Sequence, residues 1–160
     1  MAKYHLRKKE SEITDLLELK TILKNGKYAT ISMCRNNEPY IVTMNYGFDE
    51  LNNILYFHSA VEGLKLLFLE TNHLVCATVI QDLGYVVGDC NHRYRSVVFW
   101  GKLALIHNID EKLHGLDVLF THLETNPENF RNKMLADATR INQVAILRLD
   151  ISEITGKEGL

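Results

Sequence analysis

The stretch His58-Ser59-Ala60-Val61-Glu62-Gly63-Leu64-Lys65 holds the residue types best suited to chemistry in this chain. An apolar β-type run, Ile54 to Phe57, ends there, and helical spacing begins with Leu64, Leu67 and Phe68. Free N–H groups at a helix start carry a partial positive charge, and a hydroxyl and an ammonium nearby suit a phosphate monoester. Ser59 and Lys65 supply that pair, with Ala60 turning the chain and Gly63 allowing the backbone close to a ligand. A plainer reading stands beside this one: Ser59 caps the helix and Lys65 is a solvated surface residue. Arg95-Ser96 opens the apolar run Val97 to Gly101, and Thr43-Met44-Asn45 closes a β-type run where a flat ring could lie against its edge. Each of these two segments, taken alone, reads as an ordinary strand.

Other constellations are weaker. Cys90 and His92 are two apart, but a structural zinc site needs four ligands and no second pair lies at suitable spacing. His114 and His122 are too far apart for a helical HExxH site, and no serine sits on a GxSxG elbow. GxGxxG and GxxxxGK[ST] are missing, which leaves dinucleotide and triphosphate cradles of those kinds unsupported.

The elements that must position these residues follow from periodicity. Glu12 to Asn25 carries apolar residues at helical spacing, with Ser11 or Thr14 as the expected cap and Gly26 as the stop. Tyr28 to Cys34 and Pro39 to Tyr46 alternate as a hairpin about the polar turn Arg35 to Glu38, and Ile54 to His58 forms a third strand. A short helix from Glu62 to about Asn72 leads into a strand at Leu74 to Ile80. Gln81 to Arg93 reads mostly as loop, with a short strand at Tyr85 to Val87. Tyr94 to His107 is a long strand, Asp110 to Leu123 a helix, Phe130 to Thr139 a further short helix, and Val144 to Ile154 a final strand. About six strands joined by short turns must be antiparallel, so the expected fold is α+β, mainly β, built round an antiparallel barrel with peripheral helices.

A chain of 160 residues with 46% hydrophobic content fits one domain, residues 1 to 160, with a core of its own. A charged fraction of 24% and a formal net charge of -2 give no general attraction to nucleic acid or anionic lipid. The longest apolar runs fall well short of the ~18 to 20 residues that span a bilayer, and no export signal is read at the start. Cys34, Cys76 and Cys90 form no CxxC pair; Cys34 and Cys76 are read as buried small hydrophobes, and the expected setting is reducing and cytoplasmic.

Taken together and in order, PYIVTMNYG, ILYFHSAVEGLKLLFLETNHLVC, YRSVVFWGKL and VAILRLDISEITGKE resemble the pyridoxamine 5′-phosphate oxidase-like flavoproteins, nearest to the nitroimidazole-resistance type. The resemblance runs from about Leu6 to Glu158. It implies a split β-barrel, a homodimer, and FMN in a groove shared by two subunits. Carried over by position, it implies that Lys65 and the backbone at Ala60 and Gly63 hold the phosphate, with His58 and Ser59 beside them. Thr43, Met44 and Asn45 would line the flavin ring, and Arg95 and Ser96 would reach the ribityl chain, ring edge or phosphate. The family usually has a basic residue just before the lysine, where this chain has Leu64. His58 has competing roles: flavin hydrogen-bond partner, proton donor as a catalytic residue, haem ligand, or structural histidine. The implied activity is FMN-dependent reduction of a small, flat, electron-poor molecule such as a nitroaromatic. Pyridoxamine phosphate oxidation fits less well, because no extra basic cluster awaits the phosphate of that substrate. A flavin-carrying or electron-carrying module and a haem-binding variant of the fold are the alternatives.

Overall fold

In the computed structural model, which describes residues 6–135 and 141–159, alternation in the sequence becomes alternation of faces. Strand β2 (Tyr28–Arg35) turns Ala29, Ile31 and Met33 into the core and Thr30, Ser32 and Cys34 outward. Asn36 and Asn37 take positive φ of 49° and 65°, as a two-residue hairpin requires, and β3 (Glu38–Asn45) pairs back along β2. Cys34 is therefore exposed and Cys76 only half-buried, which corrects the expectation that both are core residues. Both share the outward phase of their strands, which apolar character alone does not reveal.

Beyond the hairpin come β4 (Gly47–Asp49), β5 (Ile54–Ser59), β6 (Leu74–Val86), β7 (Asn91–Leu105) and β8 (Ala145–Gly159); β1 (Glu12–Ile13) pairs with the far end of β8. The order across the sheet is β3-β2-β6-β7-β8-β5-β4, with antiparallel pairing at every junction. The edge strand β3 approaches β5 without pairing to it, so the sheet curls into a barrel split along that seam. This is the α+β split barrel expected, with eight strands in place of about six. The added length lies mainly in β6 and β7, which run over Gln81 to Val86 and Asn91 to Arg93 on either side of a turn at 87–90, where mostly loop was expected. Gly84 there occupies an irregularity between Asp82 and Tyr85 instead of ending the strand, because the partner strand supplies the backbone hydrogen bonds.

The barrel interior holds Ile31, Leu55, Phe57, Phe99, Leu103 and Leu147, all fully buried. Each such side chain contributes about 1.5–3 kcal/mol of transfer free energy. Helix α1 (Leu16–Asn25) plugs one side with Leu19, Ile22 and Leu23. It starts four residues later than expected, capped by Asp15, whose carboxylate accepts the Leu17 N–H at 2.8 Å; Glu12 and Ile13 are drawn into β1 instead. The short helix α2 (Leu64–Leu69) buries Phe68 and Leu69, with the Phe68 ring 5.1 Å from that of Tyr40 on β3.

A second apolar cluster lies outside the barrel, where α3 (Ile109–Leu123) covers Ile54, Tyr56 and Ile146. The close approach depends on Gly47, where a Cβ would fall 2.6 Å from the Leu119 nitrogen. Helix α4 (Pro127–Leu135) follows, with Phe130 against Phe120 at 5.6 Å between rings. Pro127 opens this helix, and the part of the expected helix beyond residue 135 lies outside the described residues.

Candidate anion and ring site at the barrel split

Strand β5 pairs with β8 along its whole length but with β4 only over Ile54 to Tyr56. Among the described residues, Phe57 to Ser59 therefore have no strand partner on the side that faces the seam, and β3 has none on its outer edge. Two stretches of backbone with unpaired hydrogen-bonding groups line the split, a setting in which a ligand can complete the ladder. The chain leaves β5 through Ser59, passes Ala60, and enters α2 at Lys65.

Ser59 is buried, and Lys65 is half-buried with its ammonium donating to the Ser59 hydroxyl at 2.9 Å. The hydroxyl donates in turn to the Ala60 carbonyl at 3.0 Å. Lys65 has no carboxylate partner among the described residues. A partly desolvated cation with only a hydroxyl for company favours the arrival of an anion. Ser59 does not cap α2, whose N-cap is Gly63 with no side-chain cap, so the plain capping reading fails. Gly63 has φ 137°, a conformation that disfavours any other residue, and a Cβ there would meet nothing within 4 Å. Its role is to set the backbone at an open position. Since α2 has only six residues, its N-terminal field is small and Lys65 supplies the main positive charge.

The remaining expected site residues are dispersed. Thr43 and Asn45 point outward from β3: the Thr43 hydroxyl lies 2.9 Å from that of Thr30, and the Asn45 amide donates to the Lys27 carbonyl at 3.0 Å. Met44 points inward toward the core. His58 and Ser59 occupy opposite faces of β5; His58 is exposed, lies on the side covered by α3 and α4, and makes no hydrogen bond among the described residues. Arg95 donates to Glu158 at 3.0 Å and to Glu18 of α1. The Ser96 hydroxyl reaches the Lys157 carbonyl at 3.5 Å, at the limit of a hydrogen bond. Arg95 and Ser96 pair with Glu158 and Lys157 at the end of β8, whereas Ser59 pairs with Ala145 at its start. Roughly 40 Å of extended strand separates the two places, so one chain does not bring Arg95 and Ser96 to Lys65.

Sequence reasoning missed the carboxylates that hold Arg95, Glu18 and Glu158, since nothing local links positions so far apart. It also missed Thr30 and Thr78, paired across β2 and β6 beside Thr43. The period-two alternation of Thr30 with Ser32 carried that signal.

A split antiparallel barrel, with Lys65 bonded to Ser59 where the seam meets a short helix, is the fold and candidate site of this chain. The profile of the family described as pyridoxamine 5'-phosphate oxidase matches residues 15–158, and the chain belongs to that family. A proposed 5-nitroimidazole antibiotic resistance protein from Bacteroides thetaiotaomicron superposes with a TM-score of 0.78 at 24% identity, over 98% of this chain and 96% of that one. The flavocytochrome Anf3 from Azotobacter vinelandii gives 0.73 at 20% identity, covering 98% and 73% of the two chains. An FAD-binding protein from Mesorhizobium loti gives 0.66 at 21%, covering 91% and 96%. No curated protein matches by sequence. Among the described residues no helix is long and apolar enough to cross a membrane.

Proposed function

We propose that this protein is a flavoprotein that binds FMN at the split between β3 and β5 and uses it to reduce a small, flat, electron-poor molecule. The observation that carries the reading is the half-buried Lys65 ammonium on the Ser59 hydroxyl, at a seam with unpaired backbone on both sides. Membership of the pyridoxamine 5'-phosphate oxidase family supports it, as do the flavin-related names of several proteins of the same fold. Lys65, Ser59 and the backbone at Ala60 and Gly63 would hold the phosphate. The free edge of β3 at Thr43, Met44 and Asn45 would meet the polar edge of the ring. The flavin supplies the electron chemistry when bound; the chain binds it, orients it and limits water at the seam.

The site is completed by a second copy. Tyr28, Ile41, Leu74 and Ile80 are exposed on the outside of β2, β3 and β6 in a mixed patch with Thr30, Ser32, Thr43 and Thr78, with Ser96 in the cross-strand row of Ile80. A patch of this kind on a sheet favours association. In a homodimer covering it, Arg95 and Ser96 would serve the partner's flavin, which accounts for their distance from Lys65 in one chain. His58 points away from Ser59 and Lys65 across β5, so within one chain it does not face the substrate side of this seam.

The test is the absorption spectrum of the purified protein, followed by titration with FMN, FAD and riboflavin. A flavin spectrum with FMN preferred, bleached by NAD(P)H and recovered on adding a nitroaromatic, is the expected result. Bleaching without recovery would indicate a carrier, and a Soret band with no flavin uptake would indicate the haem variant. Failure to take up any flavin at excess overturns the reading.

A further inference from the structure

We propose that the cavity between α3, α4 and the start of β8 is a second small-molecule site, for an arylalkylamine: one or two fused aromatic rings on a short chain ending in an ammonium. The cavity is about 310 Å³, with walls that include Leu116, Leu119, Phe120 and Phe130 and with His58 and Glu124 as its polar residues among those described. A cavity of about 150 Å³ holds benzene, so the space here takes a bicyclic ring or a single ring with a tail. Phe120 and Phe130, tilted by 33° at 5.6 Å between rings, give aromatic edges and faces for it.

Charge decides the class of ligand. Glu124 is the one formally charged residue among the described lining, follows the last turn of α3, and has no ion-pair or side-chain hydrogen-bond partner among the described residues. His58 likewise has no partner there. Glu124 is exposed at the rim of this apolar cavity, and a carboxylate there favours a cationic donor and disfavours a carboxylate or phosphate ligand. The site is separate from the anion anchor. His58 and Ser59 are neighbours in sequence, but the strand turns one toward this cavity and the other toward Lys65.

The inference does not rest on flavin binding, and its test is run with and without added FMN. Tryptamine, 3-ethylindole and indole-3-propionate share a bicyclic ring and differ in the charge of the tail. Each is titrated at low salt, followed by protein amide and His58 ring resonances in NMR and by calorimetry. Tryptamine should shift amides of α3, α4 and Val144 together with the His58 ring, and bind about fivefold tighter than 3-ethylindole, the size expected of a solvent-exposed ion pair. Indole-3-propionate should bind weakest. Glu124→Gln should bring tryptamine to the level of 3-ethylindole, and Phe130→Ala should weaken both; far-ultraviolet circular dichroism and melting confirm that the variants fold. The proposal is overturned if indole-3-propionate binds as well as tryptamine, if Glu124→Gln leaves tryptamine binding unchanged, or if none of the probes shifts resonances of this cavity. Loss of FMN uptake alone leaves it standing.

Discussion

Replacing Lys65 with alanine separates an anion anchor from an ordinary surface lysine. Its ammonium is half-buried and donates to Ser59 at 2.9 Å, and no carboxylate among the described residues competes for it. A hydrogen bond to a charged group contributes about 1.5–3 kcal/mol. Partial exposure of Lys65 puts the lower half of that range in play, and about 1.4 kcal/mol corresponds to tenfold in affinity. FMN should therefore bind Lys65→Ala roughly 10- to 40-fold more weakly. Riboflavin, which has no phosphate, should bind both forms alike. The fold should tolerate the change, because the Ser59 hydroxyl keeps the Ala60 carbonyl as acceptor. Quenching of flavin fluorescence at two ionic strengths gives the assay: the wild type should lose FMN affinity as salt rises, the variant less so. Equal FMN affinity in the two proteins, or equal losses for FMN and riboflavin, would refute the reasoning.

Leu64 occupies the position where a second base is expected, and it is 47% exposed, so Leu64→Arg should tighten FMN several-fold in the same titration without lowering the melting temperature. Gly47→Ala drives a Cβ to within 2.6–2.7 Å of backbone atoms of Val118 and Leu119, which cannot rotate away; denaturant unfolding should show a loss of about 1–3 kcal/mol. Burial pushes the Asp49 carboxyl up, but hydrogen bonds from Asn52 and His114 outweigh that and hold it below the ordinary carboxylate range. Its stabilising effect is then full above about pH 4 and lost as pH falls through the lower folded value. Asp49→Asn should accordingly show a shallower loss of stability on acidification, followed by urea melts between neutral and acid pH. Ile80→Asp, on the exposed mixed patch, should shift the protein from dimer to monomer in light scattering and reduce flavin uptake in parallel; a monomeric wild type would sink the shared-site reading.

Much of the architecture was legible because local periodicity and burial agree. The β2–β3 hairpin is written in the alternation of Ala29, Ile31 and Met33 and in the Asn36-Asn37 turn. Helix α3 is written in the spacing of Leu116, Leu119 and Leu123. The β6–β7 extension was not, because Gly84 and the polar residues around it look like a loop until the partner strand takes up the backbone of their neighbours. Cys34 was misplaced for a related reason: the strand was evident, but which of its two faces met the core depended on its neighbours.

By itself the sequence determined the small residues, hydroxyl and lysine at a strand-to-helix junction, the run of antiparallel strands, and the departure at Leu64. These are local matters of residue type and spacing. Only the tertiary structure decided that Lys65 lies on Ser59 with no carboxylate beside it among the described residues, that His58 faces an apolar cavity on the other side of β5, and that Arg95 is held by Glu18 and Glu158. Each depends on strand register and helix packing, which bring together residues far apart in the chain. Those contacts leave no local mark because they arise from the closure of the whole sheet.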